Sequence, residues 1–516
     1  MNIDRSASDN SVTRRFPRIA ALCAAYLGTF LATLDISVVN VALPTLQDAL
    51  QTDISGLQWV VNAYTICLSA FMLSSGPIAD RYGHKRAWLA GVGVFTVGSA
   101  VCAMASNLDL LLFGRAVQGV AGALLIPGAL PILSHAFPDA EERAHVIGGW
   151  SAFSALALIL GPLLGGLLLH GIGWQSIFVI NLPLGMIAIG LGIWGIREHK
   201  QQARTALDPA GQVLSVVCLA SLTYGLISIG QPGLNSLIPI AALAVALVVF
   251  ILFMFVERCV DRPLLPLSLF RRRSFAVVNL ASFTLGFSYY SCLFFFSIYL
   301  QTIQGLSVVE TGWRMMPQFL VTGCVSILYG RLSAVMTSRR LLVAGYGVTA
   351  LAMSTMVTFT AHTPYWIVGT LFGLLGLGAG LAVPATSMAV MTAAPIDRMG
   401  VASTTMNALR QMGMTIGVAF LGTLMSSEAS RVLAAALRDQ GVAKAPEIAR
   451  YVIAHGVASS DSLIVSTLFV PAMEHGFHVA MMVSGLACAL VALMLLITSF
   501  EADTLPSPPP KHTDGG

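Results

Sequence analysis

Residues 76–86 read Gly76-Pro77-Ile78-Ala79-Asp80-Arg81-Tyr82-Gly83-His84-Lys85-Arg86. This polar stretch separates two apolar runs, 57–79 and 86–106, each long enough to cross the roughly 30 Å core of a bilayer as a helix. Its charge is mostly positive, so it reads as a connector held on the cytoplasmic side. The same alternation continues in both directions. Apolar runs lie near 18–42, 57–79, 86–106, 109–133, 145–169, 176–196, 209–230, 236–257, 275–302, 314–336, 340–361, 365–391, 401–426 and 477–500. Strands of a membrane barrel would be shorter and alternate in polarity. The expected fold class is therefore all-α, a polytopic membrane protein with about fourteen transmembrane helices.

Composition excludes a water-soluble chain. Of 516 residues, 56% are hydrophobic and only 10% are charged, against roughly 25% in an ordinary soluble domain. The net charge of +4 carries no nucleic-acid footprint, because the basic residues sort by membrane side. Arg81/Lys85/Arg86, Arg197/Lys200/Arg204, Arg258/Arg262 with Arg271–Arg273, and Arg339/Arg340 all fall on the side of the 76–86 loop. Both termini are expected to be cytoplasmic, with the protein in the cell (inner) membrane. Arg5, Arg14, Arg15 and Arg18 precede the first run, which lacks a signal-peptide cleavage site and so stays as a span. The eight cysteines include no CxxC pair, and no disulfide framework or metal site is implied. Glu474-His475-Gly476-Phe477-His478 reads as an interfacial helix start.

A worn copy of the opening loop follows the tenth run: Gly330-Arg331-Leu332-Ser333, then Arg339-Arg340. Matching the two sets spans 1–6 against spans 9–14 and leaves spans 7 and 8 as an insertion. The expected organisation is a cytoplasmic segment 1–17, an N-terminal six-helix bundle 18–196, and an inserted pair with cytoplasmic connectors 197–274. A C-terminal six-helix bundle 275–500 follows, with a long outer loop 427–476, and then a cytoplasmic tail 501–516.

Asp35 is the acidic residue set well inside an apolar run. A carboxylate at that depth costs about 3 kcal/mol on insertion scales, and it serves either as a proton carrier or as half of a static ion pair. Arg115, in Gly114-Arg115-Ala116-Val117-Gln118-Gly119, lies at a similar depth and is its natural partner. In the 76–86 loop, Gly76 and Gly83 permit a tight turn, Asp80 can accept from a helix terminus, and Arg81, Lys85 and Arg86 anchor the loop. Either a conformational latch or a plain topology anchor fits. Gly161-Pro162-Leu163-Leu164-Gly165-Gly166 gives small residues beside a proline, for a hinge, a seam between halves, or simple close packing. Arg410, near the middle of the thirteenth span, has no carboxylate at matching depth in its own half. It pairs across the halves, binds carbonyls, or meets an anionic group. Asn40, Trp59, Tyr64, Gln118, Tyr289, Tyr290, Asn407 and Arg410 are candidate substrate-cavity residues, although aromatic packing against lipid or helix is an equal reading for Tyr289 and Tyr290.

Taken in order, these motifs resemble the major facilitator superfamily, and within it the fourteen-span drug:proton antiporters. The residues that carry the resemblance are Leu34-Asp35, Asn40-Val41-Ala42-Leu43-Pro44, Trp59 with Tyr64, and the loop from Gly76 to Arg86. To these add Arg115 with Gln118-Gly119, Gly161-Pro162 with Gly165-Gly166, Trp174 through Asn181-Leu182-Pro183, Tyr299-Leu300-Gln301, and Leu409-Arg410-Gln411 with Gly413. His84 stands where Arg is usual, and the second loop copy lacks its Asp. The resemblance implies two bundles around a cavity that opens alternately to each side. It implies a transporter, not an enzyme, that exports small amphipathic organic compounds in exchange for protons. The proton gradient is its energy source, and no cofactor is needed. Small-molecule substrate, protons and membrane lipid are the expected partners, with no nucleic acid. A dedicated exporter of an endogenous metabolite and a membrane sensor are the alternatives. With Asp35 counted among the cavity charges, neutral, monocationic or weakly acidic substrates are expected over dications.

Overall fold

The computed structural model describes residues 5–198, 208–229, 237–260, 263–265, 267–395, 398–456 and 463–498, and every regular element among them is helical. Apart from a single turn at Leu267–Phe270, the helices in chain order are α1 (Arg5–Leu50), α2 (Ile54–Tyr82), α3 (His84–Ala103), α4 (Leu108–Ala136), α5 (Ala140–Gly171) and α6 (Ser176–Gly195). Then come α7 (Pro209–Ile229), α8 (Leu237–Cys259), α9 (Arg273–Ile303), α10 (Val308–Val335), α11 (Ser338–Thr358), α12 (Tyr365–Ala393) and α13 (Met399–Asp439). A short helix α14 (Ala445–His455) precedes α15 (Leu463–Ile497). Among the described residues 13 helices are long and apolar enough to span. The 32-residue α5 is not among them; its apolar stretch, Leu156–Leu169, is shorter, and the helix packs against α1 and α10.

Helix starts are set by short polar side chains where the chain turns. Asp53 accepts from Gly56 N at 2.8 Å ahead of α2, and Asn107 accepts from Leu110 N at 2.9 Å ahead of α4. Ser307 and Glu310 form a reciprocal capping box at α10, satisfying donors that a helix end leaves open. Two π-helical turns, Gly286–Tyr290 and Tyr299–Ile303, interrupt α9.

Packing follows an internal repeat. In the N-terminal half α2 and α3 pack on α4; in the C-terminal half α10 and α11 pack on α12. The correspondence reaches single glycines. A Cβ at Gly119 would lie 2.3 Å from the Tyr64 carbonyl oxygen, and one at Gly376 would lie 2.3 Å from that of Gln318. Between the halves, α2 packs on α13 and α5 on α10, a pair of contacts that the repeat exchanges. The inserted α7 and α8 pack on each other, with α7 against α2 and α13. Ser74 Oγ donates to Gln212 Oε1 at 2.5 Å, Trp59 stands 6.3 Å from Tyr224, and Thr423 Oγ1 donates to Leu226 O at 2.9 Å. By contrast α8 turns Leu247, Val248, Ile251 and Phe255 outward, the face a lipid-lying helix presents.

Two sequence readings change. Much of the segment 427–476 is helix, not loop: α13 runs on to Asp439, α14 follows, and α15 already begins at Leu463. The reason is amphipathicity, since Ala445, Ala449, Val452 and Ile453 fall on one face of α14 and are buried. The segment Glu474–His478 lies inside α15, where Glu474 accepts from Ala361 N and His478 Nε2 meets Phe359 O at 2.5 Å. At the other end, the segment 1–17 belongs in large part to α1, which starts at Arg5; residues 199–207 and 501–516 lie outside the described residues.

Backbone contact at Gly119 makes a direct prediction. Gly119→Ala should lose about 1–3 kcal/mol of stability through overpacking. Gly93→Ala, where a Cβ meets nothing within 4 Å, should stay within about 0.5 kcal/mol of the parent. Unfolding of the purified variants in one detergent compares them.

Candidate functional site

Asp35 and Arg115 come together in the N-terminal bundle, each 1% exposed. Arg115 Nη1 donates to Asp35 Oδ2 and, at 2.9 Å, to Gln118 Oε1. Asp35 Oδ1 accepts from Gln118 Nε2 at 3.1 Å and from Asn181 Nδ2 at 3.3 Å. Ser99 Oγ accepts from the same two amides, at 2.8 and 3.3 Å. Arg115 Nε donates to Val60 O at 3.2 Å, and its Cζ lies 4.5 Å from the centroid of the Tyr64 ring. Side chains from α1, α3, α4 and α6 and the backbone of α2 thus close around one ion pair. A guanidinium and two amide donors surround the Asp35 carboxyl in place of the water it lost. Asn181 Oδ1 is buried with no partner.

This geometry revises the cavity assignments. Tyr64 and Gln118, both 0% exposed, belong to the ion-pair network and not to a cavity wall. Asn40 is buried and donates to its own helix at Ile36 O, 2.7 Å away, while Trp59 turns to α7. Tyr289 is buried, with its hydroxyl 3.3 Å from Thr322 Oγ1. Tyr290, Asn407 and Arg410 remain half-buried and lie together: Arg410 Nη2 donates to Asn407 Oδ1, and Arg410 Cζ lies 5.5 Å from the Tyr290 ring centroid. Ser99 is absent from the sequence reading because a serine in an apolar run carries no signal of its own. Asn181 is legible only as part of the Asn181-Leu182-Pro183 motif.

The 161–166 motif forms two seams at once. Gly161 lies against Ser37, where a Cβ would come within 2.3 Å, while Gly166 approaches Val309 Cα and Gly312 approaches the Pro162 carbonyl. Gly165 adds ordinary contact with Val38. The same end of the molecule is closed by Gln58 Nε2 to Val418 O at 2.9 Å, Gln301 Nε2 to Val41 O at 3.0 Å, and Gln47 Nε2 to Ala454 O at 3.1 Å. Slightly deeper, Thr415 Oγ1 donates to Thr65 Oγ1 at 2.8 Å. The two bundles are therefore joined at the α14 end.

At the opposite end, the 76–86 loop is tied to Glu198. Gly83 has φ +99, and a Cβ there would sit 2.1 Å from Glu198 Oε1. Lys85 N donates to the same oxygen at 3.3 Å, Arg86 Nε stands 3.7 Å from Oε2, and Lys85 Nζ donates to Ile193 O at 2.6 Å. Glu198 thus sits at the positive N-terminus of α3, a role the sequence reading did not assign. Asp80 Oδ1 lies 3.5 Å from Nε2 of His84, the first residue of α3, and so meets that helix start through a side chain. Arg81 lies over the Tyr82 ring, and Gly76 has open space around it.

The family model of the Major Facilitator Superfamily matches residues 25–418. The chain belongs to the Major Facilitator Superfamily. It is 34% identical over 414 residues to a methylenomycin A resistance protein of Streptomyces coelicolor, covering 80% of this chain and 87% of that one. It is 31% identical over 492 residues to the drug efflux pump JefA of Mycobacterium tuberculosis, covering 92% and 94%. Among solved structures, an inward-facing, unoccupied bacterial homolog of the human lysosomal transporter Spinster aligns with a TM-score of 0.64 at 17% identity, covering 93% and 96%. This superfamily member is a multi-pass membrane transporter, and its fold is the one expected from the span count and the loop repeat.

The ion pair predicts a coupled stability pattern. Asp35→Asn and Arg115→Gln should each cost about 3–5 kcal/mol by leaving one buried charge uncompensated. The double variant should be more stable than either single one. A double-mutant cycle measured by denaturant unfolding checks the sign.

Proposed function

We propose that the protein exports small amphipathic organic compounds across the cytoplasmic membrane in exchange for protons, with Asp35 as the proton-carrying group. The two relatives named above are a resistance protein and a drug efflux pump, which supports export of drugs or toxic metabolites. The observation that carries proton coupling is the place of the ion pair. Arg115 holds Asp35 with one edge and the Val60 carbonyl of α2 with another. On the same helix Gln58 and Thr65 make the bonds to α13 that join the bundles.

Protonating Asp35 removes the counter-charge from a guanidinium in a low-dielectric site, so Arg115 must find a new arrangement. The unpartnered Asn181 Oδ1 offers the neutral carboxyl an acceptor once that amide turns. Because Arg115 is bonded to α2, its shift bears on the seam between α2 and α13. In this reading the α14 end faces outward, both termini are cytoplasmic, and the seam is the closed outer gate. Opening it lets bundles rock about the small-residue contacts at Gly161, Pro162, Gly165 and Gly166. The Asp80 loop engages in the opposite, outward-open state, which is why Asp80 rests on His84 here.

Asp35→Asn should retain substrate exchange in reconstituted vesicles and lose concentrative export under an imposed pH gradient. Gradient-driven accumulation at the parental rate would overturn the assignment. Asp80→Asn should shift cysteine accessibility away from the outward-open state with expression intact; unchanged accessibility and transport would reduce the loop to an anchor.

A further inference from the structure

Among the described residues, Arg410 is a charge deep within the spans that stands apart from the Asp35–Arg115 pair. It lies about 16 Å along α13 from Met399 at helical rise, and among the described residues it forms no ion pair. Asp35 cannot balance it, since that carboxylate is 1% exposed and closed inside the other bundle by Arg115, Gln118 and Asn181. The field at Arg410 is therefore positive, and a guanidinium held at this depth favours any anion that reaches it.

We propose that Arg410, with Tyr290 and Asn407, binds the anionic oxygen group of an aromatic substrate, so that the exporter favours amphipathic monoanions such as aromatic carboxylates. This rests on the export reading and replaces the expectation, drawn from counting Asp35 as a cavity charge, that monocations are accepted equally. Three features of the geometry support it. The guanidinium is half-buried and spends one donor on Asn407 Oδ1, which leaves others for a two-point contact with a carboxylate. Tyr290 stands beside it, with the guanidinium over its ring at 5.5 Å and its plane T-shaped to that of Tyr289 at 5.1 Å, so half-buried aromatic surface adjoins the cation.

The third feature is the backbone. Tyr290 closes the π-helical turn Gly286–Tyr290, a local irregularity that re-aims side chains at functional sites. At that turn α9 touches α13 directly, because a Cβ on Gly286 would fall 1.9 Å from the Arg410 carbonyl oxygen. The position is also apt for a carrier. Arg410 lies about 7–8 Å along the helix from Thr415, on the side away from the closed seam. A compound entering from the loop end meets it before the gate.

The test uses pyrenebutyric acid, its carboxamide and pyrenebutylamine as probes of one shape and three charges. Binding to the purified full-length protein is read by pyrene fluorescence at pH 7.5, roughly three units above an ordinary carboxylic pKa. The acid should bind at least tenfold more tightly than the amide, and the amine most weakly. Arg410→Gln should bring the acid-to-amide ratio close to one, and Arg410→Lys should keep part of it. A ratio near one in the parent protein, preference for the amine, or a ratio unchanged in Arg410→Gln would each overturn the proposal. Export of the neutral carboxamide driven by a pH gradient reports on the export reading separately, since it does not involve the anion site.

Discussion

A carboxylate and a guanidinium buried together at membrane depth organise the N-terminal half of this transporter. Neither Asp35 nor Arg115 has water to solvate it, so each must be satisfied by protein. That requirement recruits Gln118, Asn181 and Ser99 and the Val60 carbonyl, drawing four helices and one helix backbone to a common point. A site so fully paired is stable only while both charges persist. Removing either charge therefore disturbs the pairing of every neighbour at once.

The two halves share a packing scheme but not this chemistry. Gly119 on α4 and Gly376 on α12 occupy equivalent contacts, which sets Phe372 opposite Arg115 and Leu375 opposite Gln118 in the repeat. Both counterparts are 0% exposed and apolar. The C-terminal bundle therefore carries no charge at that point and packs as a conventional core. Its own cation, Arg410, stands instead on α13, half-buried beside Tyr290. The buried ion pair and this half-buried cation are thereby placed in different bundles, and α2 and α13 are among the helices that join the halves. Small residues do the joining at α5 and α10: Gly166 lies against Val309 and Gly312 against Pro162, so the two backbones touch there.

Much of this was legible in the chain itself. Span number and length follow from apolar runs because the bilayer core has one thickness, and the depth of Asp35 and Arg115 follows from helical rise along their runs. The loop repeat at Gly76 and Gly330 gave the pairing of spans, and charge sorting gave an expected orientation. What sequence determined is thus much of what varies along the membrane normal, since hydropathy and rise are one-dimensional quantities, while the helical extension of 427–476 past the apolar runs was not legible. The direction each side chain takes around its helix was decided only by tertiary packing. Tyr64 and Gln118 sit at depths as suitable for a cavity as Tyr290 and Arg410, yet a helix with several neighbours buries one face against each. Only the assembled bundle turned the first two onto the ion pair and left the last two half-buried against each other.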